Sequence, residues 1–161
     1  MPQPLSWLSM PERLLDELQS TIEREIPMCA HMGIHVHSYS ERALTLRAPL
    51  ERNFNHQRTA FAGSLNALCT MAGWANVFML TRRNGLAGDI VIRRSTIKYL
   101  CPVDAPEIIA SCAAVADADR DYFLEMLEQK GQAKLDLRVE ILAEKQVAVS
   151  FSGSYVVLDG A

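Results

Sequence analysis

No aspartate or glutamate occurs between Asn53 and Gly88. That removes any carboxylate base or carboxylate pair from this stretch and leaves few groups there able to take a proton. No Cys-x-x-Cys pair exists either, because Cys29, Cys69, Cys101 and Cys112 stand far apart. A zinc ribbon or a thioredoxin-type motif is therefore unsupported. Cys69 lies in an apolar run, where a free thiol behaves as a small hydrophobe, and a reducing cytoplasm is the expected compartment. Positive charge is not in excess: the formal net charge is -3, so no overall basic field draws the chain to nucleic acid. Residues 1–10 lack a basic stretch followed by an apolar one and do not read as a signal peptide. No internal repeat and no low-complexity linker divides the chain. One domain over 1–161 is expected, with a helical segment at 1–26 and the core at 27–161.

What is present begins with an uncharged run from Thr59 to Thr81, followed by Arg82-Arg83. Its length could span a bilayer. Asn66, Asn76, Ser64, Thr70 and two glycines argue against that, as do the strand-like segments on either side. A helix that is apolar all round can equally be buried in a protein core, and no membrane partner is expected.

The pattern predicts a helix over Pro11 to Glu25, capped by Ser9 and stopped by Pro27, with Leu14, Leu15, Leu18 and Ile22 as its apolar stripe. Gly33–Tyr39 and Ala43–Ala48 read as a hairpin around Ser40-Glu41. The central helix is expected from about Ala60 to Arg82, with Thr59 as its N-cap and Asn84-Gly85 as its stop. Asp89–Leu100 and Glu107–Ala116 read as strands, and Tyr122–Lys130 as a short helix capped by Asp117 or Asp119. In the next strand Ala133, Leu135, Leu137, Val139 and Ile141 alternate with charged residues, so one face is buried and one wet. Val147–Leu158 returns beside it. A long helix without a polar face must be covered on most sides. A curved antiparallel sheet, aided by a second subunit, does this. The expected class is α+β, with a long central apolar helix wrapped by a curved antiparallel sheet and preceded by an N-terminal helix.

The chemistry is expected where the polar loop Asn53–Arg58 enters that helix. Small residues in the first turn let a ligand approach the backbone, and the first N–H groups of a helix have no intrahelical partner. With the helix dipole behind them they can polarise a carbonyl. The same pattern also describes an ordinary capped helix start.

The residues Asn55-His56-x-x-Thr59-Ala60-Phe61-x-Gly63-Ser64-Leu65, followed by Ala72-Gly73-Trp74, resemble the YiiD carboxy-terminal thioesterase family. The resemblance runs from about Glu25 to the end of the chain. It implies a hot-dog fold, a homodimer or higher homo-oligomer, and acyl-coenzyme A or acyl-carrier-protein thioesters as substrate. No cofactor is implied beyond coenzyme A as part of the substrate. The family pattern carries small residues at positions 58 and 62, where this chain has Arg58 and Ala62. Broader hot-dog thioesterases resemble the chain in the Asn55 loop and the small pair Ala62-Gly63. They place an acid two turns into the helix, where this chain has Thr70 beside Cys69.

The candidate catalytic residues are accordingly Asn55, His56, Gly63 and Thr70. Thr70 can position a water but is a poor base, whereas the His56 imidazole is a candidate base. Cys69 would need a lowered pKa to act as a nucleophile. Candidate substrate contacts are Asn53, Arg58, Thr59, Phe61, Ala62 and Ser64, with Arg93, Arg94 and Lys98 as phosphate contacts or as a solvated strand face. The nearest approach to a metal set is Cys29, His31, His35 and His37, of which only His35 and His37 share a strand face. Two ligands fall short of three or four, so no metal is expected. Without an acid on the helix, two other readings stay open: an acyl-thioester binder without catalysis, and a dehydratase or isomerase on the same fold.

Overall fold

The computed structural model describes residues 9–160. The stretch 1–8, including most of the segment judged not to be a signal peptide, lies outside the described residues. Ser9 opens α1 (Met10–Glu25) with a capping box: its hydroxyl accepts from the Glu12 N–H, and the Glu12 carboxylate accepts from the Ser9 N–H at 2.7 Å. Leu18 and Ile22 bury the inner face of α1. Pro27 ends α1 as expected, yet it also occupies the first turn of a further helix, α2 (Pro27–Met32), which the pattern did not reveal. Gly33 closes α2 in the left-handed conformation (φ 72°), so the strand starts two residues later than expected.

β1 (His35–Ser40) and β2 (Ala43–Pro49) form the hairpin, with Glu41 and Arg42 both at positive φ in its turn. A bulge between Val36 and Ser38 makes His37 the extra residue, so His35 and His37 do not form the matched pair that strict alternation implies. α3 (Ala62–Arg83) is the central helix. β3 (Asp89–Tyr99), β4 (Glu107–Cys112), α4 (Asp117–Lys130), β5 (Gln132–Ala143) and β6 (Gln146–Leu158) follow. α4 begins five residues before the expected start. Asp117 and Asp119 sit inside its first turn, where they suit the dipole, and Ala116 holds the cap position.

The sheet has six strands in the order β1-β2-β4-β5-β6-β3, and every pairing is antiparallel. α3 packs against β2, β3, β4, β5 and β6, so the sheet curves around it. Twelve α3 residues are buried, among them Leu65, Leu68, Met71, Ala75 and Met79. Gly73 explains one close approach. A Cβ there would collide with the hydroxyl of Tyr155, which is fully buried and donates to the Thr70 carbonyl at 2.7 Å. This is the hot-dog arrangement. Among the described residues, no helix is long and apolar enough to cross a membrane, and no group of three His, Cys, Asp or Glu side chains could hold a metal ion.

Candidate functional site at the start of the central helix

The segment before α3 is extended, not helical. Phe54 and Ala60 form an antiparallel bridge. The Phe61 N–H donates to Asn53 O at 2.8 Å, and the Ala60 N–H to Val103 O at 2.7 Å. Thr59 is therefore not the N-cap. The cap position belongs to Phe61 (φ -65°, ψ 132°), which offers no side-chain hydrogen bond to the helix. The Phe61 carbonyl accepts from the Leu65 N–H at 3.0 Å. Among the described residues, the amides of Ala62, Gly63 and Ser64 have no acceptor. Ala62 and Gly63 are exposed and Ser64 is half-buried. A 22-residue helix thus presents three open N–H groups, with its dipole behind them.

Asn55 builds the loop that leads there. Its Oδ1 accepts from the N–H of Gln57 (2.9 Å) and of Thr59 (3.2 Å), and its Nδ2 donates to Thr59 Oγ1 (3.0 Å). The side chains of Asn55 and Thr59 thus hold one another and fold the turn. Asn53 is buried and donates through Nδ2 to Met32 O (2.9 Å) and Pro49 O (2.7 Å), tying the loop to the end of α2 and of β2. Its Oδ1 is buried without a partner. His56 is exposed, with no hydrogen-bond partner among the described residues. Arg58 adopts a left-handed backbone (φ 65°), a conformation uncommon for a residue with a side chain. Its guanidinium lies 4.5 Å above the Phe54 ring.

Gly63 is packed by Phe61. A Cβ at position 63 would strike the far edge of that ring, which is 54% exposed and free to swing. The ring therefore stands against Gly63, beside the first turn. Tyr99, at the end of β3, donates through its hydroxyl to Ala62 O at 3.2 Å. It escaped the sequence reading, although it continues the inward alternation from Ile97. Two turns along the helix, Thr70 donates to Asn66 Oδ1 at 3.4 Å on a half-buried face with no acid. Burial, with the nearby Cys112 thiol adding to it, pushes the Cys69 thiol up to about 12. Cys69 is thus protonated at neutral pH and is no nucleophile.

The basic residues of β3 do not join this turn. A bulge at Arg93 lets Ile92 pair with Tyr155 and Arg94 with Ser154, so Ile92 and Arg94 face opposite ways. Arg94 and Lys98 lie on the outer face of the sheet, away from α3, and Arg93 lines a cavity against α4 with Tyr122 and Met126.

The family described as Putative thioesterase (yiiD_Cterm) matches residues 15–159. The chain belongs to that family. A protein of unknown function from Chlorobaculum tepidum has a similar structure, with 31% identity and a TM-score of 0.88, covering 93% of this chain and 97% of its own. A putative thioesterase from Shewanella oneidensis matches with 30% identity and a TM-score of 0.84, covering 91% and 99%. A thioesterase from Haemophilus influenzae, at 15% identity and a TM-score of 0.67 over 89% and 90%, shares the fold.

Proposed function

We propose that this member of the thioesterase family binds an acyl thioester of coenzyme A or of acyl-carrier protein at the start of α3 and hydrolyses it. One observation carries the reading: three consecutive amides, of Ala62, Gly63 and Ser64, are open at the end of a long helix that no side chain caps. The thioester carbonyl oxygen points at them, and the Phe61 ring moves aside for the acyl group. A water attacks the carbonyl carbon and gives a proton to His56. The amides hold the resulting oxyanion, and each well-placed donor contributes about 3 kcal/mol to the transition state. The carbon–sulfur bond then breaks, and the leaving thiolate takes the proton back from His56. Asn55 and Thr59 keep the loop in place for this step. Asn53 holds the loop from beneath. Thr70, with Asn66, holds water on the helix face. Arg58 is the phosphate contact beside the loop, and Arg93, Arg94 and Lys98 meet coenzyme A only beyond the edge of the sheet.

A second copy of the chain completes the site. Phe61, Tyr99 and Leu100 are exposed together with the half-buried stripe Asn66, Ala67, Thr70 and Trp74 of α3, and β3 is an edge strand. An isologous dimer covers this surface. Sedimentation showing a stable monomer at micromolar concentration would count against it. A cytoplasmic location suits four free cysteines.

The absence of an acid on α3 favours a second reading, in which the site binds a thioester without cleaving it. A panel of acyl-CoA substrates assayed for free thiol separates the two. Release of thiol that His56→Ala abolishes supports hydrolysis through His56. Measurable coenzyme A binding with no turnover at any chain length overturns it in favour of the binder.

A further inference from the structure

At the opposite end of α3 lies a cavity of about 320 Å³, lined by Tyr39, Asn76, Leu80, Arg83, Arg120 and Leu124 among others. Its size is at the low end of small-molecule sites. Three guanidinium groups border it. Arg42 is held by Asp117 at 3.1 Å, and Arg120 by Asp117 at 2.8 Å and Asp121 at 2.9 Å. Arg83 has no carboxylate partner among the described residues. It donates to the Tyr39 hydroxyl at 2.8 Å and lies 5.6 Å from that ring. The border therefore holds one cation more than it has carboxylates. The dipole of α4, which begins beside the cavity, is offset by Asp117 and Asp119 in its first turn, so the positive charge there comes from Arg83.

The floor is set by Asn76, a polar residue that the apolar helix gives no obvious reason to contain. It is only 6% exposed. Both amide hydrogens are used, toward Cys112 Sγ at 3.3 Å and Ala113 O at 3.2 Å. Its Oδ1 accepts from no donor among the described residues. Leu80, Val115 and Leu124 supply apolar lining to the cavity. Asn76 and Arg83 are seven residues apart on one face of α3, two turns or about 10 Å.

We propose that this cavity binds a small organic anion: a carboxylate taken by Arg83, an apolar body of a few carbons along Leu80, Val115 and Leu124, and a terminal hydroxyl that donates to Asn76 Oδ1. The site is separate from the start of α3, and its occupancy does not depend on thioester hydrolysis.

The probe is 6-hydroxyhexanoate, titrated into the 161-residue chain by calorimetry, with hexanoate and inorganic phosphate as comparison ligands. Saturable binding is expected, weaker for hexanoate, which lacks the donor for Asn76. Arg83→Gln should weaken it about tenfold, the scale of one charge-assisted hydrogen bond. Arg83→Lys, which keeps the charge, should lose less. Arg138→Gln, on the outer face of the sheet, should change nothing. Circular dichroism of each variant checks that it folds. No saturable binding, equal binding by Arg83→Gln, an equal loss in Arg138→Gln, or phosphate binding as tightly as 6-hydroxyhexanoate overturns the proposal.

Discussion

Alanine substituted for glycine at positions 63 and 73 of α3 should move stability in opposite directions, although both residues lie in one helix. The new methyl group meets an aromatic ring in each case. At position 63 the ring is that of Phe61, half in solvent and met at its far edge, so it can rotate away at little cost. The gain is what a first-turn residue recovers when glycine becomes alanine, up to about 1 kcal/mol. At position 73 the ring is that of Tyr155, fully buried between α3 and the sheet. It cannot rotate without opening the core, and its hydroxyl would leave the Thr70 carbonyl. Overpacking costs about 1–3 kcal/mol, and a buried hydroxyl left without its partner about 1–3 more. Against a propensity gain of about 1 kcal/mol, Gly73→Ala should lose about 1–5 kcal/mol net. Urea unfolding of both variants beside the parent measures this. Equal shifts of the same sign would refute the reasoning, because it would mean that neither ring is held as described.

Two further outcomes follow from buried polar groups. Asn53→Ala removes two hydrogen bonds to the Met32 and Pro49 carbonyls and should cost about 2 kcal/mol in chemical denaturation, while relieving the unpartnered Oδ1. At alkaline pH the native state should weaken. Burial raises the Cys69 thiol from 9.0 to about 12 and Cys112 to about 11, and raises the Tyr155 hydroxyl as well. The native state therefore holds these protons more tightly than the unfolded chain. The associated stability is complete below pH 9 and is lost as pH rises toward 11 and 12. Melting temperature against pH checks this, and Cys69→Ala should flatten the fall.

How legible the fold was depended on the range of the forces involved. The alternation in β5, the Ser9 cap and the Pro27 stop are local signals, and the structure keeps them. The bulges at His37 and Arg93 have no local signature, since each depends on how a neighbouring strand pairs. The entry to α3 was misread for a related reason. Thr59 has the chemistry of an N-cap, but Asn55 engages it, and strand-like bonds to Asn53 and Val103 extend the chain through Ala60 and Phe61. That shift leaves the helix end uncapped and its amides open. Gly73 belongs to a motif visible in the sequence. Its physical reason, Tyr155, lies 82 residues away. The missing acid, by contrast, was legible at once, and no acidic side chain stands beside Thr70 on the helix.

Hydrolysis at the start of α3 depends on the amides of Ala62, Gly63 and Ser64 as donors to the thioester carbonyl. Ala62→Pro tests this with little other change. Position 62 is the first helical residue, where proline is well tolerated, and Phe61 already has the extended backbone that a following proline requires. The substitution deletes one N–H and no charge. Turnover of an acyl-CoA by Ala62→Pro, with melting temperature recorded beside it, is the decisive measurement. An intact fold and a kcat about 100-fold lower are expected. An intact fold with kcat unchanged would contradict that role of the amides.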